Sequence, residues 1–240
     1  MTTGTFDWIE YFEAIQHKEP SLLAFAIKRW NYNIPLLDRI RRTVPPPARV
    51  LEVGTGSGAL AVLLAAHGYD VLGMDIDPRV IAWAKGFAEP FGLACQFEVG
   101  DGFDLTSYAG KFDVAFSAGV LEHFSPRDAV RMLQEQGQAA RYVVAAVPTR
   151  FALRNDPFTE ASGARPIRLP ELRRLFARAR LEDVRGFGYG TPDGTLSWIF
   201  RLLLPRSIQW ILQNQLSYAG TIGCIGRARV SAGSSGPPDG

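Results

Sequence analysis

From its amino end, the chain first shows apolar residues at helical spacing. Between positions 6 and 43, Leu22, Leu23, Ala26 and Ile27, then Ile34, Leu37 and Ile40 around Pro35, recur every three to four residues. That period predicts helices with one buried face. Pro45-Pro46-Pro47 cannot continue a helix and predicts a stiff connector. Beyond it the period changes, and short apolar runs alternate with amphipathic segments. Residues 49–53, 71–74, 95–99, 113–116, 142–147 and 181–187 are predicted strands, and 221–228 a seventh. Residues 59–66, 78 to about 88, 129–139 and 170–179 are predicted helices between them. Strands separated by helices need crossovers of one hand, which implies a mostly parallel sheet covered on both faces. The uncharged run 142–147, YVVAAV, suits a central strand buried on both sides. The expected organisation is a helical cap over 1–44, an α/β domain over 45–230 and a flexible Gly/Ser/Pro tail over 231–240.

The sharpest local feature is VLEVGTGSG, residues 50–58, a strand running straight into a glycine-rich turn and a helix. Gly54 and Gly56 permit positive φ and close approach of a ligand to backbone. The helix start offers unpaired N–H groups to a carboxylate or phosphate. Alone the turn is ambiguous, because Gly54, Gly56 and Ala59 also satisfy the dinucleotide pattern G-x-G-x-x-A. Three further points narrow it. Asp75 ends the second strand, where a carboxylate accepts from both hydroxyls of a ribose. Asp101, within VGDG at 99–102, ends the third. The fourth strand ends in small residues, Ser117-Ala118-Gly119, which leave room for a ligand. All four lie at carboxyl ends of parallel strands, where open α/β sheets bind ligands.

This arrangement resembles the class I S-adenosylmethionine-dependent methyltransferases of small molecules, closely over residues 49–148 and more loosely to residue 229. The resemblance implies a Rossmann-like, seven-stranded, mostly parallel sheet in the order 3-2-1-4-5-7-6, with an antiparallel seventh strand. It implies that Glu52, Gly54 and Gly56 cradle the methionine end of S-adenosylmethionine, that Asp75 holds the ribose and that Ile76 packs on adenine. Asp101 and Gly102 match the adenine turn; Ser117 and Ala118 match the stretch beside the transferred methyl. S-adenosylhomocysteine is the implied product. In that strand order Cys95 and Cys224 stand five spacings apart, about 24 Å, too far for a disulfide.

Methyl transfer from a sulfonium is an in-line displacement, so alignment and desolvation supply most of the acceleration. No metal is implied. A hydroxyl acceptor gains from a general base, and His123 in GVLEHF is the candidate; the competing reading is that Glu122-His123 is a structural turn. Aromatic residues crowd the cap: Phe6, Trp8, Tyr11, Phe12, Trp30 and Tyr32. Most are expected to fill space between helices and sheet, with Tyr11 the candidate lid residue. The segment 188–220 carries Trp198, Ile199, Leu202 and Leu203, then Ile208, Ile211, Leu212 and Leu216, on either side of Pro205. It is expected to be a helical insertion closing the site.

Composition adds exclusions. The 240 residues carry 26 basic and 24 acidic side chains, net +2, which argues against a dedicated nucleic-acid binder. The arginines of 172–180 read as the solvated face of a crossover helix. No apolar stretch reaches the roughly 20 residues of a membrane span, and two cysteines build no disulfide framework. A cytoplasmic monomer or homodimer acting on a small-molecule acceptor is expected. The rivals are an NAD-dependent oxidoreductase and a non-catalytic cofactor-binding subunit that regulates a partner.

Overall fold

The computed structural model describes residues 6–154, 158–190, 204–214 and 218–229. Seven strands form one sheet in the order β3-β2-β1-β4-β5-β7-β6. They are β1 (Arg49–Val53), β2 (Asp70–Asp75), β3 (Cys95–Val99), β4 (Phe112–Ala118), β5 (Ala140–Pro148), β6 (Glu182–Tyr189) and β7 (Thr221–Arg227). The first five are parallel, in register such as Leu51 against Leu72 and Ala115. β7 runs antiparallel to both neighbours, with Ala145 opposite Cys224 and Thr221 opposite Tyr189. The expected architecture is therefore present.

Helices α1 (Trp8–Gln16), α2 (Leu22–Thr43), α3 (Ala59–Ala66) and α4 (Pro78–Ala88) precede β3; α5 (Pro126–Ala139), α6 (Arg150–Leu153), α7 (Leu169–Arg178) and α8 (Arg206–Asn214) follow β4. Short polar caps set their starts. The Asp7 carboxylate accepts from Ile9 N–H, the Asp77 carboxylate from Arg79 N–H, and the Ser125 hydroxyl from Asp128 N–H. Pro78 and Pro126 stand in first turns, where a missing N–H costs nothing. The Ser125 cap starts α5 at Pro126, three residues before the expected 129.

Strand alternation divides the core. Val144 and Ala146 of β5 join α2, α3 and α4 on one face; Val143, Ala145 and Val147 join α5 and α7 on the other. No charge interrupts β5 between Tyr142 and Val147 because both faces are dry. Cys95 and Cys224 are free. On α7, Arg173, Arg174 and Arg178 face solvent as the pattern predicted.

Within the described parts of the 188–220 segment, Tyr189 lines the cavity described below, whereas α8 packs beside β6, where Asn214 Oδ1 accepts from Gly188 N–H at 3.1 Å. None of its residues lines the cavity described below. Its Ile208, Trp210 and Ile211 turn outward because the inner face is spent on β6. Trp198, Ile199, Leu202, Leu203, Leu216 and the tail 231–240 lie outside the described residues. Among the described residues no helix is long and apolar enough to cross a membrane.

Candidate active site

The carboxyl ends of β1 to β5 open onto a cavity of about 730 Å³ roofed by α1 and α2. That size suits a cofactor together with a small second molecule.

One half is built from the glycine turn. Gly54 and Thr55 N–H both donate to Met74 O at 2.8 Å, folding the turn over β2. Gly54 has φ +72°, and a Cβ there would lie 2.6 Å from Val120 Cγ2. Only glycine leaves this cradle open. Thr55 Oγ1 donates to Glu52 Oε2 at 2.8 Å, and Gly56 N–H donates to Asp75 Oδ2 at 3.3 Å. The other Asp75 oxygen accepts from Asp77 N–H at 3.2 Å. Asp101 Oδ1 accepts from Phe103 N–H at 2.9 Å and so shapes the third strand's turn. Ile76 is 67% exposed at the cavity edge, an uncovered apolar surface beside a carboxylate. Glu52, Gly54, Gly56, Asp75, Ile76, Asp101, Gly102 and Ala118 thus converge on one space. Ser117 does not: it points to the opposite face of β4 from Ala118, and its buried hydroxyl lacks a partner.

Burial dominates the electrostatics here. It pushes the Glu52 carboxyl up to about 8 against the opposing hydrogen bond from Thr55, and the nearby Asp75 adds to the rise. Burial also raises Asp75, countered by the backbone N–H groups of Asp77 and Gly56. A carboxyl raised on folding stabilises the fold fully below its unfolded pKa, and that stability is lost as pH climbs through the folded value. Without ligand, the melting temperature is therefore expected to fall between pH 4.5 and about 8. Glu52→Gln should flatten that fall by several degrees in thermal melts; an unchanged slope would contradict the assignment.

The other half is aromatic. Phe6, Trp8, Tyr11 and Phe12 all line the cavity, as does Tyr32. This corrects the expectation that most cap aromatics only fill space; Trp30 alone of the six does so, donating to Ala59 O at 2.8 Å. The Tyr11 ring stands 5.2 Å from Phe158, and Trp8 meets His123 edge-on at 5.1 Å. The carbonyl of Ser162 can only accept, so His123 Nδ1, 3.0 Å away, carries the proton. Its Nε2 is then the basic nitrogen. At the β6–β7 end, Tyr32 and Thr221 hydroxyls meet at 2.7 Å and Tyr189 donates to Asn33 Oδ1 at 3.1 Å. Sequence reading missed Asn33, Tyr189 and Thr221, named Tyr32 only among the cap aromatics, and gave Glu122, which lines the cavity with its carboxyl buried, only as part of a turn.

A doubly covered α/β sheet in this strand order, with a glycine turn and acidic residues at successive strand ends, defines the class of nucleotide-cofactor-binding Rossmann-like proteins. Residues 50–141 match the methyltransferase domain family. Over 100 residues, 42% of this chain, it is 33% identical to a protein-L-isoaspartate O-methyltransferase of Chlorobium limicola. Over 135 residues, 54% of this chain, it is 31% identical to a 2-heptyl-1-hydroxyquinolin-4(1H)-one methyltransferase of Mycobacteroides abscessus. These matches span 44% and 57% of the two relatives, about half their length. A TehB-like S-adenosylmethionine-dependent methyltransferase from Corynebacterium glutamicum shares the fold, with TM-score 0.56 and 19% identity over 85% of this chain and 96% of its own. The match to a methyltransferase domain covers residues 50–141, less than half of the chain, and the solved structure shows that the fold is shared.

Proposed function

We propose that this protein binds S-adenosylmethionine and methylates a small organic acceptor, with S-adenosylhomocysteine as product. The observation that carries the reading is one cavity joining the strand-end motif to an aromatic chamber with a basic nitrogen. The open cradle at Gly54, which a Cβ would fill, fits a ligand lying against backbone. When bound, the sulfonium supplies a methyl group to an in-line nucleophile.

The roles follow from position. Asp75 accepts from the ribose hydroxyls, Ile76 and the Asp101–Gly102 turn flank adenine, and Glu52, Gly54 and Gly56 hold the methionyl end. Ala118 lies beside the transferred methyl, with Ser117 buried behind it. Phe12, 3.1 Å from the point a Gly56 Cβ would occupy, and Tyr11 close the cavity and exclude water. His123 Nε2 takes the proton of a hydroxyl acceptor. The Mycobacteroides relative is named for a hydroxyquinolinone, and an apolar ring bearing a hydroxyl suits the walls formed by Trp8, Tyr11 and Phe158.

Calorimetric titration of S-adenosylhomocysteine and of NAD tests the reading. Only the first should bind. Asp101→Ala should weaken it by about 10-fold, the worth of one charge-assisted hydrogen bond. Binding of NAD instead would move the site to hydride transfer, and unchanged affinity in Asp101→Ala would misplace the adenine pocket.

A further inference from the structure

Glu122 sits in the turn after β4, and its side chain is 3% exposed. Its Oε1 lies 3.9 Å from His123 Nε2, and both residues line the cavity. Its Oε2 is buried with no hydrogen-bond partner. Gly119, with φ +76°, forms the turn beside it. A wholly buried carboxyl with one oxygen unpartnered is costly and is retained where its charge or its proton has a use. The charged groups facing it are few. Arg165 comes from the loop before α7, but its Nη1 is tied to Glu171 at 2.6 Å and its Nε to Phe124 O at 3.1 Å. The Arg165 Nη2 atom is itself buried and unpartnered. From α1, the group that meets His123 is the neutral Trp8 ring.

We infer that Glu122 is a positioning residue that holds one proton jointly with His123, so that the base of the acceptor site is the pair rather than the imidazole alone. The inference rests on the proposed methyltransferase reading. Two groups this close in a dry site titrate together, because the charge on one sets the proton affinity of the other. At neutral pH the pair carries one proton, on the carboxyl or on the imidazole. Burial, which raises the Glu122 carboxyl to about 8 against the hydrogen bond from its own backbone N–H and the attraction of Arg165, favours keeping it. Loss of that proton to solvent leaves a carboxylate beside a neutral imidazole. The proton of an acceptor hydroxyl then moves to Nε2, its electron pair stays on the oxygen, and the Glu122 carboxylate stabilises the imidazolium formed. The acceptor class this selects is one whose nucleophile must lose a proton, a hydroxyl of phenol-like acidity, rather than a tertiary amine or a thioether.

The test is a nuclear magnetic resonance titration of the full chain saturated with S-adenosylhomocysteine, labelled at His ring carbons and Glu carboxyl carbons, from pH 5 to 10. His123 and Glu122 are assigned from His123→Asn and Glu122→Gln. In the wild type the two signals should move together, sharing a step above neutrality. In Glu122→Gln the His123 step should shift to lower pH by at least one unit, and Glu122→Asp should restore part of the shift. Independent titration of the two wild-type signals, or an unmoved His123 step in Glu122→Gln, would overturn the inference. If the glutamine variant fails to fold, Glu122→Asp supplies the Glu122 assignment and the wild-type titration still decides. Failure of S-adenosylhomocysteine to bind would sink the methyltransferase reading instead; the titration, repeated without it, still decides whether the pair is coupled.

Discussion

Asp75→Ala should cost at least about 100-fold in S-adenosylhomocysteine affinity while leaving the fold intact. The carboxylate ends β2 inside the cavity, where water competes poorly, and it has two oxygens to offer two ribose hydroxyls. A hydrogen bond to a charged group contributes about 1.5–3 kcal/mol, so two of them account for a hundredfold or more. The same substitution deletes the acceptor for Gly56 N–H, at 3.3 Å, and loosens the turn proposed to cradle the methionyl end. Asp75→Asn, which keeps one oxygen, should fall between alanine and wild type. Calorimetry reads both, and a wild-type affinity in the alanine variant would remove Asp75 from the site.

Gly54→Ala should cost both stability and binding. Its φ of +72° is strained for any L side chain, and the new Cβ would meet Val120 Cγ2 at 2.6 Å. Strain and clash together are worth about 3 kcal/mol, or a melting temperature lower by roughly 6–12 °C. Binding should also be lost, because Val120 lines the same cavity and must move. Gly86→Ala on α4 is the control: nothing lies within 4 Å of its Cβ, and alanine suits a helix better by about 1 kcal/mol. Thermal melts should therefore move in opposite directions for the two variants. Similar losses in both would mean that glycine substitution in general, not the cradle, is being measured.

These sites divide by how far along the chain their partners lie. Glu52, Gly54, Gly56, Asp75 and Asp101 were legible because each is a strand end followed by its own turn, a local pattern that needs no tertiary knowledge. The helix over 59–66 and the strands over 49–53 and 95–99 match their predicted bounds for the same reason. Ser117 failed because strand alternation decides which of two neighbours faces the cavity, and the motif does not. The polar cluster of the second half joins residues far apart: Tyr32 to Thr221 and Asn33 to Tyr189. No spacing along the sequence announces such pairs. Glu122 was visible only as part of a structural turn, because its burial depends on the loop carrying Arg165, more than 40 residues further along, being laid over it.

The place of β7 in the sheet bears on how the chain is made. β5 and β6 are synthesised before β7, yet β7 lies between them and pairs with both. Until residues 221–227 emerge from the ribosome, the YVVAAV strand is an uncharged, unpaired edge, the kind of surface that templates association with other chains. The nascent protein can assemble the glycine-turn half of its cavity, the half proposed to take the nucleoside, well before the aromatic half has its Thr221. Synthesis thus leaves an interval in which a cofactor has somewhere to dock and an acceptor does not, and a nucleoside bound then would steady the growing sheet while its bare edge waits for the closing strand.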